Sequence, residues 1–187
     1  VGASRDERAL SGPVFAVRKR LPWLQVNLLT AFLAAAAVGL FESTIAKFTA
    51  LAVLLPVVAG QSGNAGLQAL AVTMRGLVLR EISPRQWPRM VWKEASVGLA
   101  NGLAIAATTA VGVWFWSGSI GLVAVITSAM VASMVIAGVS GALVPIMLRR
   151  FGQDPAQSSS IVLTTITDVA GFFSFLGIAT LLSSMLG

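Results

Sequence analysis

Residues 119–148 read SIGLVAVITSAMVASMVIAGVSGALVPIML and contain no charged side chain. An α-helix rises about 1.5 Å per residue, so a run of this length can cross the hydrocarbon layer of a bilayer, roughly 30 Å thick. Similar apolar stretches cover residues 21–41, 48–79, 91–116 and 157–186. We number the five stretches as spans 1 to 5 in chain order, so that residues 119–148 form span 4. Together with a charged fraction of only 11%, these five segments predict an all-α membrane protein with five transmembrane helices.

The composition excludes several kinds of functional site. Cysteine and histidine are both absent, so disulfides, thiolate metal sites and histidine bases cannot occur. Oxygen ligands for a hard cation are still present. The net charge of +6 is better explained by membrane topology than by nucleic-acid binding, and we expect no nucleic-acid partner.

The basic residues are distributed unevenly between the two ends of the predicted spans. Twelve of the 13 Lys and Arg residues precede span 1, surround the joint between spans 2 and 3, or follow span 4, and only Lys47 falls on the other side. Because cytoplasmic loops are enriched in Lys and Arg, we predict a cytoplasmic N terminus and an external C terminus. The basic stretch SGPVFAVRKR at residues 11–20 indicates either an amphipathic helix on the inner membrane surface or a tail attracted to anionic membrane lipid.

The second span contains a polar, glycine-rich stretch. Pro56 precedes GQSGNAGLQ at residues 60–68. Proline and glycine weaken a helix, and irregular backbone at membrane depth requires surrounding protein or a water-filled cavity. We therefore predict a break in this helix that lines a cavity, with close packing of small residues as the alternative. The residues predicted to line a pore here are Gly63, Asn64, Gly66 and Gln68.

Asp168 is the only ionisable residue of the fifth span. A charged side chain at the centre of a membrane helix costs at least about 2.5 kcal/mol by insertion scales, so such residues face water or a bundle interior and often mark functional sites. Helical spacing places Ser160, Thr164 and Asp168 on one stripe, which Gly171 continues and Thr167 flanks. We predict that this stripe lines a pore. The alternative is a protonated Asp168 that joins neighbouring helices.

Three further acidic residues are candidates for accessory roles. Glu42 lies at the outer end of span 1, Glu94 lies beside Lys93 at the start of span 3, and Asp154 precedes span 5. Glu42 is interpreted equally well as a solvated loop residue. Glu94 is interpreted equally well as an ordinary interfacial neighbour of Lys93. The small residues around Asn101 in span 3 are predicted to pack against a neighbouring helix rather than to conduct ions.

Several motifs together resemble the MgtE family of magnesium channels and transporters. The most specific are the Gly-Asn-x-Gly-x-Gln run at residues 63–68 and the run from Asp154 to Gly171. The strings RLPWLQVNLLTAFL at residues 20–33, GLFEST at 39–44 and KEASVGLANGL at 93–103 follow in the same order. The resemblance covers residues 15–186.

The resemblance implies a two-fold homodimer in the cell membrane, with the pore on its axis and Mg²⁺ as the transported ion.

 In that family the aspartate of the last helix holds the hydrated ion, which assigns metal binding to Asp168 and to the backbone carbonyl of Thr164. Ser160 stands where the family carries an Asn toward the cytoplasmic mouth. Mn²⁺ and Ca²⁺ are further candidate ions.

The resemblance also implies a division of the chain into two parts. Residues 1–20 correspond to the remnant of a cytoplasmic connecting helix, and residues 21–187 correspond to the transmembrane pore domain. The cytoplasmic regulatory domains usual in the family are missing from the sequence. We therefore expect a piece of a longer protein, located in a bacterial plasma membrane.

Two other functions remain open from the sequence. A Na⁺- or H⁺-coupled exporter or exchanger of divalent cations would fit the same scaffold, although Asp168 is the only ionisable residue available at mid-membrane for a proton route. An intramembrane aspartyl protease would need paired carboxylates, which two copies of Asp168 could supply. That function leaves the Gly-Asn run without a role, so we predict a transporter rather than an enzyme.

The topology can be tested with tags at the two ends of the chain. Because the basic residues lie on one side, a tag at Val1 should be reachable only from the cytoplasmic side and a tag at Gly187 only from outside. Protease protection in oriented vesicles measures both. Protection of both tags from the same side would contradict the five-span topology.

Overall fold

The computed structural model describes residues 8–82, 84–153 and 155–186, which form six α-helices. The helices are α1 (Pro13–Gly39), α2 (Glu42–Lys47), α3 (Ala50–Val78), α4 (Trp87–Ser117), α5 (Ile120–Arg150) and α6 (Pro155–Leu181). Single 3-10 turns occupy Pro84–Gln86 and Ser183–Met185. All helices except α2 are long and apolar enough to cross a membrane. The predicted all-α architecture, with five helices long and apolar enough to span a membrane, is therefore confirmed.

Helix α5 lies at the centre of the subunit, with α3, α4 and α6 packed around it. It is also the most apolar of the five long helices and the one with the largest buried share. One buried cluster joins α3, α5 and α6 through residues that include Leu51, Val58, Ile126, Phe175 and Leu176. Helix α1 packs mainly on α6 and buries only Ala34 and Ala37. It therefore lies at the periphery of the subunit.

Helices α4 and α5 approach each other backbone to backbone at glycines. A Cβ atom at Gly98 would lie 2.6 Å from the carbonyl oxygen of Met134, and one at Gly138 would lie 2.6 Å from the carbonyl oxygen of Glu94. A Cβ at Gly102 would lie 3.1 Å from the Cα atom of Val131. Small residues allow this kind of close contact between membrane helices. The prediction that the small residues of span 3 serve packing is confirmed.

Helix α3 corrects one prediction. It is a continuous α-helix from Ala50 to Val78 that includes Pro56 and the whole glycine-rich stretch, so the predicted break is wrong. A Cβ at Gly66 would lie 3.2 Å from Thr167 and 3.3 Å from Leu163, and a Cβ at Gly141 would lie 2.5 Å from the Gly66 carbonyl oxygen. The small residues let α5 and α6 close on α3, and intrahelical hydrogen bonds satisfy the backbone along the helix.

The first helix is longer than its apolar span. It begins at Pro13 and continues through Pro22 to Gly39, so the basic residues at 18–20 belong to the same helix as span 1. Residues 13–20 are therefore helical rather than an irregular tail, while a position on the inner membrane surface stays a prediction. Residues 1–7 lie outside the described residues, and the assignment of residues 1–20 to a connecting helix stays a prediction.

The glycine contacts can be tested by two substitutions in the same helix. Gly98→Ala should lower stability by about 1–3 kcal/mol, because its Cβ would overlap the α5 backbone. Gly112→Ala is the matched control: nothing lies within 4 Å of its added Cβ, and alanine should be neutral or stabilising by up to about 1 kcal/mol. Thermal unfolding in detergent measures both changes. Equal midpoints for the two variants would contradict close packing at Gly98.

Candidate ion-binding site

Helix α6 has one buried face and one partly exposed stripe. The buried face is formed by residues four apart, namely Leu163, Thr167, Gly171 and Phe175. The neighbouring stripe, with Ser160, Thr164 and Asp168, is partly exposed along its length. Asp168 therefore lies at the edge of the packed core, where one side of the helix is not covered by its own subunit.

The contacts between α3 and α6 set the relative heights of their polar residues. Ser62 lies opposite Gly171, where an added Cβ would be 3.4 Å from the Ser62 hydroxyl oxygen, and Gly66 lies opposite Thr167. The two helices are therefore antiparallel, and Asn64, between Ser62 and Gly66, lies at about the height of Asp168. Asn64 and Gln68 are exposed. The Asn64 amide of α3 and the Asp168 carboxylate of α6 thus lie at about the same height in the bundle.

Thr164 and Thr167 form hydrogen bonds with the backbone of their own helix. The Thr164 hydroxyl donates to the Ile161 carbonyl oxygen at 3.1 Å, and the Thr167 hydroxyl donates to the Thr164 carbonyl oxygen at 3.1 Å. The carbonyl predicted to help hold an ion therefore already accepts a side-chain hydrogen bond within its own helix. Thr167 is only 2% exposed and faces α3 rather than the open stripe.

The predicted pore-lining residues consequently fall into two groups. Ser160, Thr164, Asn64 and Gln68 are partly or fully exposed, whereas Gly66, Thr167 and Gly171 are buried within the subunit. Gly63 is partly exposed, and nothing lies within 4 Å of its added Cβ. A role in lining a pore stays a prediction for all of them.

The accessory acidic residues occupy different environments. Glu42 is exposed in the first turn of α2. This short helix is held against α6 by the Thr44 and Thr180 hydroxyls, 3.0 Å apart. Asp154 lies outside the described residues. Glu94 is the unexpected one, because its side chain is only 5% exposed and lies 2.5 Å from the Lys93 ammonium nitrogen.

Glu94 lines a small cavity of about 160 Å³ between α3, α4 and α5, together with Gln68 and Asn101. The sequence interpretation of Glu94 as an interfacial residue missed this burial. A usable signal was present, since Glu94, Gly98 and Gly102 are four residues apart and share the face that packs on α5. The described part of the chain brings no three acidic residues together. One subunit therefore offers a single carboxylate, Asp168, on the predicted stripe.

The fold and the polar zone around Asp168 define a multi-pass helical membrane protein with charged and amide groups at membrane depth. Residues 55–178 match the family model MgtE, described as a divalent cation transporter. The chain therefore belongs to the MgtE family.

Three relatives named magnesium transporter MgtE show the same relationship over most of the chain. The Thermus thermophilus protein is 36% identical over 172 residues, 92% of this chain and 38% of its own length. The Enterococcus faecalis protein is 31% identical over 94% of this chain and 39% of its own length. The Bacillus subtilis protein is 32% identical over 88% of this chain and 37% of its own length. The chain thus spans less than two fifths of the length of these relatives.

The Lys93–Glu94 pair can be tested by a double-mutant cycle. Lys93→Met removes the partner of a buried carboxylate and should lower stability by about 1–3 kcal/mol. Adding Glu94→Gln removes the charge that was left unpaired and should restore most of the loss. Thermal unfolding of the wild type, both single variants and the double variant measures the coupling. A double variant no more stable than Lys93→Met would contradict a dependence of Glu94 on Lys93.

Proposed function

We propose that this chain forms the ion-conducting part of a Mg²⁺ transporter in which two subunits surround a two-fold axis. The observation that carries the proposal is the partly exposed Asp168 at the height of the exposed amide of Asn64. A carboxylate and an amide facing lipid tails would be costly, so water or a second subunit must cover this surface. A pore between two subunits supplies both.

The identity of the transported ion is supported by the relatives and by the ligand chemistry. The three relatives are named magnesium transporters. Mg²⁺ prefers oxygen ligands, gives up water reluctantly and is usually bound through one or two carboxylates. Without histidine or cysteine, the chain has neither the imidazoles nor the thiolates that favour Zn²⁺. We expect Mn²⁺ and Ca²⁺ to compete more weakly.

The two-fold dimer follows from the number of carboxylates. Each chain contributes one Asp168, and a two-fold axis beside the α6 stripe brings two copies to a single ion. The ion keeps its waters, which donate hydrogen bonds to both carboxylates and to the Thr164 carbonyl oxygens. The Thr167 hydroxyl then gives up its bond to that carbonyl. Selection rests on the size of the hydrated ion, and the protein operates in a bacterial plasma membrane.

A coupled exporter is the second candidate, because one observation favours it. Glu94 is a buried carboxylate at the inner end of α4, and a proton-coupled cycle would depend on such a group. Mg²⁺ flux into liposomes without any Na⁺ or pH gradient favours a channel. Flux that requires either gradient favours the exporter.

The role of Asp168 can be tested by removing its charge. Asp168→Asn should lower Mg²⁺ flux into liposomes by about tenfold or more, because hydrogen bonds to a charged group are worth roughly 1.5–3 kcal/mol. Thr164→Ala keeps the carbonyl and should change flux by less than about threefold on the same scale. Glu81→Gln, the matched control, removes one exposed charge outside the helices and should leave flux unchanged. Wild-type flux in Asp168→Asn would end the proposal.

The dimer can be tested by crosslinking, because the chain contains no natural cysteine. Single cysteines at Ser160 or Thr164 lie on the stripe beside the proposed axis and should link two subunits under oxidation. A cysteine at Gly112, on α4, is the control and should not. A monodisperse monomer that still conducts Mg²⁺ would contradict the dimeric pore.

A further inference from the structure

A groove of about 700 Å³ opens at the end of the bundle where α3 and α5 finish and α4 begins. Its walls include the apolar side chains of Leu77, Leu143 and Met147. Trp87, at the first position of α4, also lines it and is 45% exposed. Tryptophan is enriched at membrane interfaces, which favours a position of the groove at the level where headgroups meet acyl chains.

Three arginines line the same groove, namely Arg85, Arg149 and Arg150. All three side chains are exposed, and no acidic side chain lines the groove. Within the part of the chain that the structure describes, none of the three arginines forms an ion pair with a carboxylate. A concentrated positive charge beside an apolar wall calls for a ligand that is anionic at one end and apolar at the other.

We propose that this groove binds an anionic phospholipid. Arginine presents a planar fork of donors that matches phosphate oxygens, and basic pockets between membrane helices on the cytoplasmic side bind anionic headgroups. The phosphate lies among the three arginines, and an acyl chain follows Leu143 and Met147 along α5. A free anion would use the arginines but would leave the apolar wall without a partner.

Native mass spectrometry of the detergent-purified chain tests the proposal, with phosphatidylglycerol and phosphatidylcholine of the same acyl chains as probes. Phosphatidylglycerol should be retained about tenfold more than phosphatidylcholine, and Arg149→Gln/Arg150→Gln should lower its retention by about tenfold or more, as expected for lost charge-assisted hydrogen bonds. The control Arg75→Gln/Arg89→Gln removes the same charge outside the groove and should retain the lipid as the wild type does.

Two further arms make the result decisive. Arg85→Gln alters one exposed residue outside the long helices, so it should fold normally and still lower phosphatidylglycerol retention severalfold. Inorganic phosphate should not displace the lipid, because it cannot use the apolar wall. Equal retention of the two lipids, equal losses in the groove and control variants, or displacement by inorganic phosphate would overturn the proposal.

Discussion

A carboxylate inside a membrane cannot be left facing hydrocarbon, and the arrangement of this protein depends on that constraint. Asp168 lies on a stripe of α6 that its own subunit covers only in part. Asn64 lies at about the same height on α3 and is exposed. Since neither group tolerates lipid tails, each has to meet water or protein. The proposed pore on a two-fold axis supplies this environment for Asp168.

Close helix packing supports this polar surface. Glycines at the α4–α5 and α3–α5 contacts let backbones approach to distances that a Cβ atom would prevent. The buried face of α6 rests on the same core through Leu163 and Phe175. Packing of the buried face therefore fixes the position and rotation of α6. This packing keeps Asp168 on the partly exposed stripe of the helix. Rigid placement of this kind suits a site that recognises an ion through its waters.

Much of the fold could be predicted from the sequence because the membrane imposes simple rules. Helix number followed from the lengths of the apolar runs, and the candidate site followed from the cost of a lone Asp168. The continuity of α3 could not be predicted, since glycine and proline weaken a helix by amounts that tertiary packing readily offsets. The burial of Glu94 and the arginine groove depend on which helix faces meet, and this is a property of packing between segments far apart in sequence.

The most direct measurement of the central claim is the stoichiometry of Mg²⁺ binding to the purified chain. Isothermal titration of the wild type and of Asp168→Asn isolates the binding that depends on the carboxylate. If two subunits share one hydrated ion, that component corresponds to one Mg²⁺ for every two chains. A component of one ion per chain, or binding that is the same in both proteins, would contradict a shared site at Asp168.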